Sequence, residues 1–582
     1  MYFSLKRAYI LALLSFCLAN CHQDNIVSDE TITVRLTREP DQLNPILSST
    51  GIAATVENLL FLPLMDYDPY TQEYIPVLAE KRTEYIKQGN NTGFKIKIRE
   101  QAVWDDKTPI TAQDILFTLK TMLNPFVESS GKRSVIEPID SVELLPNPRE
   151  LIFWTNDNYF LDEQSFTNSF FIQESKYDST LILRSLSWNT LKNMNALDTV
   201  SIQNKQAINF ATQFADPRFG REQAIGCGPY LIDQWVTNQY IKLKRKPDWW
   251  GNKIPRVIKD SVVNLSNNPD EIMYRIIPEE ANAVAALRDG LLDVIAGDIS
   301  PSMFTTLKED SSLQSKLNFI SGPPIRYVYI SMNTRSPFID DFKTRQALAH
   351  LLDLDQLRAN LFKGYAQRIA APFQPSKSYY ARDLSPVAYN LDTARSLLKA
   401  AGWKDSNHNG ILDKNILQKV RDFKVRLFVS PGGLGQQVGI HFQEQARKVG
   451  IEIELISKPI QLTLQQLHNH DFELAALSDS QFPGPDDPYD FWHSESYTSG
   501  GQNYTGFGSP QTDSIINKIR HGDPGAERTQ LYHQLQEVIY QQQPAIFLFA
   551  PQNLIIVNKR WTAKPGSVRP GYFVNHFKLN KQ

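Results

Sequence analysis

The stretch between residues 423 and 456 constrains the fold of this chain more than any other. Residues 423–429 (FKVRLFV) read as a strand, and a glycine turn follows. Residues 436–449 repeat their apolar positions at helical spacing, and 451–456 (IEIELI) read as a second strand. Strand, helix and strand in that order imply two parallel strands joined by a right-handed crossover. Alternation adds a half-buried strand at 31–38 (TITVRLTR), another at 94–98 (FKIKI) and a shorter one at 151–154. Residues 230–235 and 240–245 read as a strand pair, and 326–333 as a long strand opening the second half. Helical spacing follows Thr111, a capping residue, with Ile115, Leu116, Leu119 and Met122 on one face. It returns at 278–290, at 344–362, at 393–401 before the stop at Gly402, and at 527–541, which leads into a strand at 545–549. Such mixing reads as α/β. With 582 residues and no internal repeat, two or three lobes are expected rather than one core or a solenoid.

The first 21 residues read as an export address. Lys6 and Arg7 precede the apolar run 8–19, which is shorter than the roughly 20 residues a membrane span needs. Leu18-Ala19-Asn20-Cys21 resembles the lipobox of bacterial lipoproteins, with Asn20 in place of the usual small residue. That likeness implies acylation of Cys21, a lipid anchor to the membrane, a short tether over 22–30, and a body on the periplasmic or cell-surface side. Cys17 and Cys21 belong to the leader, so no internal disulfide framework is expected. Cys227, between Gly226 and Gly228, reads as a small buried residue. The 61 basic and 63 acidic residues nearly cancel, and no basic excess marks a nucleic-acid partner.

Motifs that could carry chemistry are few. Gly432-Gly433-Leu434-Gly435 sits between a strand and a helix, but Val438 occupies the third glycine of a dinucleotide fingerprint, so a tight turn is the simpler reading. Asp405, Asn407, Asn409 and Asp413 have the alternating oxygens of a calcium loop, with Gly410 at its sixth position. Ile416 stands where the bidentate glutamate belongs, so a polar turn competes with a structural calcium site. His468 and His470 point apart at helical spacing, which disfavours a metal. Asp486 and Asp487 lie in a proline-rich turn rather than in an acid–base pair. No nucleophile elbow, zinc helix or phosphate loop occurs, so no catalytic residue or other cofactor is expected.

The run 104–118 (WDDKTPITAQDILFT) closely matches a signature, W-x-D-G-x-P-x-T-A-x-D-V-x-F-T, with Lys107 at the glycine. Gly228-Pro229-Tyr230 with Trp235 and 243–250 (LKRKPDWW) follow, Lys246 replacing an asparagine, and then 342–355 (FKTRQALAHLLDLD). In this order the segments resemble the bacterial extracellular solute-binding family that includes oligopeptide-, dipeptide- and nickel-binding proteins. The resemblance implies a two-lobed, Venus-flytrap (periplasmic-binding-protein) α/β fold. Lobe I would comprise 31–66, 206–324 and 531–582, with a subdomain inserted at 67–205, and lobe II would comprise 325–530. It also implies a monomer that delivers a peptide or other small solute (a nickel chelate or a sugar) to ABC permease subunits and catalyses nothing. An exported hydrolase is the alternative of another class.

The resemblance carries ligand contacts over only in part. Ser49, Thr50, Gly51, Ile52 and Ala53 match the loop whose backbone pairs with an extended peptide. Arg326, Tyr327 and Tyr329 fall where the second lobe's first strand faces the cleft, Arg326 as a partner for a ligand carboxylate. Gly484 takes the place of the aspartate that receives the peptide amine, leaving Asp479 or Asp486 as substitutes.

Overall fold

The computed structural model describes residues 30–580, except 157–158, 298, 481–482, 499 and 523–524. The leader, its Cys21 and the tether up to residue 29 therefore lie outside the described residues. Among the described residues no helix is long and apolar enough to cross a membrane.

Two large sheets organise the chain. The first runs in the order Leu317–Gly322, Asn553–Asn558, Val294–Ala296, Thr31–Leu36, Glu271–Ile276, Tyr240–Arg245, Tyr230–Val236. The second runs Ala366–Arg368, Ala545–Pro551, Tyr327–Met332, Leu474–Asp479, Lys424–Val429, Glu452–Ser457. The crossover unit forms as its pattern requires. Lys424–Val429 and Glu452–Ser457 pair in parallel, with the helix Leu434–Arg447 between them.

Thr31–Leu36 departs from its half-buried reading, because all six residues are buried. It is an inner strand, parallel to Glu271–Ile276 on one side and Val294–Ala296 on the other. Its polar side chains stay inside by finding partners: Thr31 Oγ1 donates to Glu271 at 3.0 Å and Arg35 Nε to the Ile277 carbonyl at 3.0 Å. The helix expected over 344–362 is two helices, Phe342–Ala349 and Leu354–Phe362. Asp353 starts the second by accepting the Gln356 N–H at 2.9 Å.

Between the strand Met65–Tyr67 and the strand Tyr230–Val236 the chain builds a four-stranded antiparallel sheet, in the order Glu84–Gln88, Asn91–Lys97, Glu150–Thr155, Ile139–Leu144. Helices that include Ala112–Leu123 and Ile202–Phe214 pack with it, and its Phe94 and Phe153 share one apolar cluster with Ile32 and Val34 of the first sheet. The inserted sheet and the first sheet therefore make one body. The second sheet has its own clusters on its two faces.

The lobe boundary at 531 needs correction. Ala545–Pro551 pairs antiparallel with Tyr327–Met332, and Tyr532, Leu535 and Ile539 of the preceding helix sit in a cluster with Tyr327 and Tyr329. Residues 531–551 thus complete the second body. The chain crosses between bodies twice, over 323–326 and at Gln552.

The signature run is a tie within the first body. Thr111 and Asp114 form a reciprocal capping box on Ala112–Leu123. Lys107 stands at φ +68°, a left-handed conformation that glycine adopts without strain. Lys246 Nζ is buried and donates to Asp105 and to the Gly226 carbonyl, each at 2.7 Å. Cys227 is fully buried, and burial pushes its thiol up to about 12.

Candidate binding cleft between the two bodies

A cavity of about 710 Å³ lies between the two bodies. The first body contributes Tyr67, Tyr159, Gln164 and Asn168 to its wall, and the second contributes Tyr327, Phe373, Asp479, Asp486, Asp487 and Arg520. The volume falls within the range of about 300–1,000 Å³ that encloses small-molecule ligands.

Its acidic wall is built by two local devices. The strand Leu474–Asp479 ends at Asp479, opposite Tyr327 in the neighbouring strand. The Tyr327 hydroxyl donates to the Asp479 carboxylate, yet burial holds that carboxyl above the usual range. The proline-rich turn then presents Asp486. Its amide donates to the Tyr379 hydroxyl at 2.9 Å, and that hydroxyl donates back to its carboxylate at 2.5 Å. Lys377 Nζ lies 3.8 Å from the same carboxylate and donates to the Gly484 carbonyl. Burial pushes Asp486 up to about 6, opposed by Lys377 and Tyr379; burial also lowers Lys377. Asp486 is thus neutralised within the protein. Asp479 accepts from the Tyr327 hydroxyl and the Ser480 amide.

Tyr327, Asp479 and Asp486 therefore converge on the cleft, and the other expected contacts do not border it. Arg326 is exposed in the crossing segment, one residue before the strand begins. Tyr329 is buried in the second body's core beside Phe547. Gly51, Ile52 and Ala53 are the first turn of the helix Gly51–Leu60, capped by Thr50 Oγ1, which accepts the Ala53 N–H at 3.2 Å. Ser49 and Thr50 donate to Asp41 at 3.1 and 2.8 Å. A helical turn has no extended edge to pair with a peptide. Gly484 faces Tyr67: a Cβ there would lie 2.0 Å from the Tyr67 hydroxyl, so no aspartate fits that position in this conformation.

The candidate calcium loop closes through its own side chains. Asp405 accepts the N–H groups of Asn409 and Gly410 at 3.1 Å each, and Asp413 accepts from Ser406 at 2.7 and 2.6 Å. Asn407 and Asn409 reach Asp422 at 3.3 and 3.2 Å. Among the described residues no group of three His, Cys, Asp or Glu is arranged to hold a metal.

Tyr159, Arg520, Tyr67 and Lys377 carried no sequence signal. Each lies far along the chain from the partner that gives it meaning, and no periodicity marks any of them.

Comparisons with known proteins agree with the two-lobed fold. The family model for bacterial extracellular solute-binding proteins, family 5, matches residues 73–503. The oligopeptide-binding protein AppA of Bacillus subtilis is 26% identical over 528 residues, covering 88% of this chain and 85% of that protein. The dipeptide-binding protein of Escherichia coli is 22% identical over 521 residues, 88% of this chain and 87% of the other. The structure of Bacillus subtilis AppA with a nonapeptide superposes at a TM-score of 0.70 and 23% identity, over 95% of this chain and 99% of that one. NikA of Brucella suis with Fe(III)-EDTA superposes at 0.75 and 18% identity, over 95% and 100%. The two-lobed fold is shared, and the chain belongs to the bacterial extracellular solute-binding proteins of family 5.

Proposed function

We propose that this protein is the substrate-binding lipoprotein of an ABC importer, which captures a peptide between its two bodies and hands it intact to membrane permease subunits. The observation that carries this reading is the cavity of about 710 Å³ walled by both bodies, which only two chain crossings connect. Two crossings suit a hinge, and a ligand touching both walls favours the closed state. Asp479 is the anchor for the ligand's ammonium group, because it borders the cleft and a carboxylate that burial holds above its usual range gains from a charge-assisted bond. The oligopeptide- and dipeptide-binding relatives support a peptide as the solute. Acylated Cys21 holds the protein at the membrane face as a monomer; recovery of a Cys21→Ser chain in the membrane fraction would remove the anchor from this reading.

The test is a melting series with mixed short peptides. A peptide at 100 times its dissociation constant stabilises the protein by about 2.7 kcal/mol. Asp479→Asn weakens binding at least tenfold, about 1.4 kcal/mol. Peptide masses after incubation stay unchanged. Melting indifferent to every peptide, or cleavage of any of them, overturns the proposal.

A further inference from the structure

The wall of the cleft contains a direct junction between the two bodies. Tyr159 belongs to the first body and donates from its hydroxyl to Asp487 Oδ2 of the second at 2.8 Å. Arg520 Nε donates to the same oxygen at 3.0 Å, and its guanidinium lies 4.9 Å from the centre of the Tyr159 ring. One residue on, the Phe160 N–H donates to the Arg520 carbonyl at 2.9 Å, a backbone bond between the bodies. Three positions before Asp487, Gly484 lies against Tyr67 so closely that no side chain fits. Tyr159, Asp487 and Arg520 all border the cavity, so these bonds are part of its wall.

A ligand contained within the cavity leaves this junction whole. A longer chain passing out between Tyr159 and Asp487 has to part it, losing a hydrogen bond to a carboxylate and the stacking of a cation on a ring. Such a junction discriminates by length rather than by side chain. We propose that Tyr159, Asp487 and Arg520 form a clasp that closes the cleft and restricts it to peptides short enough to lie within it. The length limit rests on the peptide reading above, but the closure does not.

The experiment uses the full chain and soluble Ala-Ser peptides of two, four and nine residues, with binding read by calorimetry. The wild type takes the two shorter peptides and binds the nonapeptide at least tenfold more weakly. In a Tyr159→Ala, Arg520→Ala double variant that gap closes to within about threefold, and Tyr159→Phe falls between, retaining the ring should the double variant not fold. Equal wild-type affinity for four and nine residues overturns the proposal, as does an unchanged gap in the folded variants. If no peptide binds at any length, the peptide reading fails by itself. The clasp is then decided by small-angle scattering of the ligand-free proteins: a larger radius of gyration in the variants supports it, and an equal one overturns it.

Discussion

Lys377 and Asp486 show how one residue's role depends on another more than 100 positions away. The turn around Asp486 is legible in its prolines, and its carboxylate is a natural candidate for a ligand amine. Lys377 is not legible, since it lies in an irregular segment with no period, yet it supplies the positive charge at Asp486 from within. Arg326 is the converse case: the strand starts one residue later, which leaves the arginine exposed on the crossing rather than in the cavity wall. The buried pair has a pH signature. Asp486 is raised from 3.8 to about 6, so the folded state holds its proton more tightly than the unfolded chain does. Its contribution to stability is therefore full below the unfolded value and is lost as pH rises through about 6. Lys377→Met removes the cation and leaves the carboxylate buried and unpaired. We predict a loss of about 3–5 kcal/mol at pH 8 and clearly less at pH 5, where Asp486 takes up its proton. Denaturant unfolding at the two pH values checks this, and equal losses would contradict it.

At the scale of elements, local pattern was a good guide wherever one face meets a core. The crossover unit, the strand pair near Tyr230 and the capped helix at Thr111 all carry their period in the sequence. Thr31–Leu36 misled because alternation reports side-chain polarity, while burial was decided by parallel neighbours on both sides. The 344–362 helix misled because a mid-helix aspartate can serve as a cap instead. Lys107 is the case where resemblance and geometry meet, since the family's glycine position is left-handed here. An L-residue there costs about 1–2 kcal/mol, while glycine forfeits about 0.5–1 kcal/mol in chain entropy. Lys107→Gly should therefore raise stability by about 0.5–1 kcal/mol, despite losing the exposed bond to the Asp248 carbonyl. Calorimetric melting checks this, and a loss beyond about 1 kcal/mol would refute the strain argument.

For the whole molecule, the two-body plan followed from family segments in order, but the return crossing did not. A strand at 545–551 can pair with either sheet as far as its composition is concerned, and only the register against Tyr327–Met332 assigns it to the second. The two crossings put Leu317–Gly322 beside Asn553–Asn558 in one sheet and Tyr327–Met332 beside Ala545–Pro551 in the other. The bodies thus share a narrow double link; Tyr327 of the cleft follows it directly, while Tyr159, Asp487 and Arg520 lie well away from it along the sequence. The central claim is that a small solute is held in this cleft and released unchanged, and native mass spectrometry of protein purified from its own bacterium tests it most directly. The account predicts an adduct with the mass of a short peptide that is recovered intact on denaturation and is depleted in Asp479→Asn. A protein that carries no adduct under any growth condition, or one that returns fragments of what it was given, would contradict it.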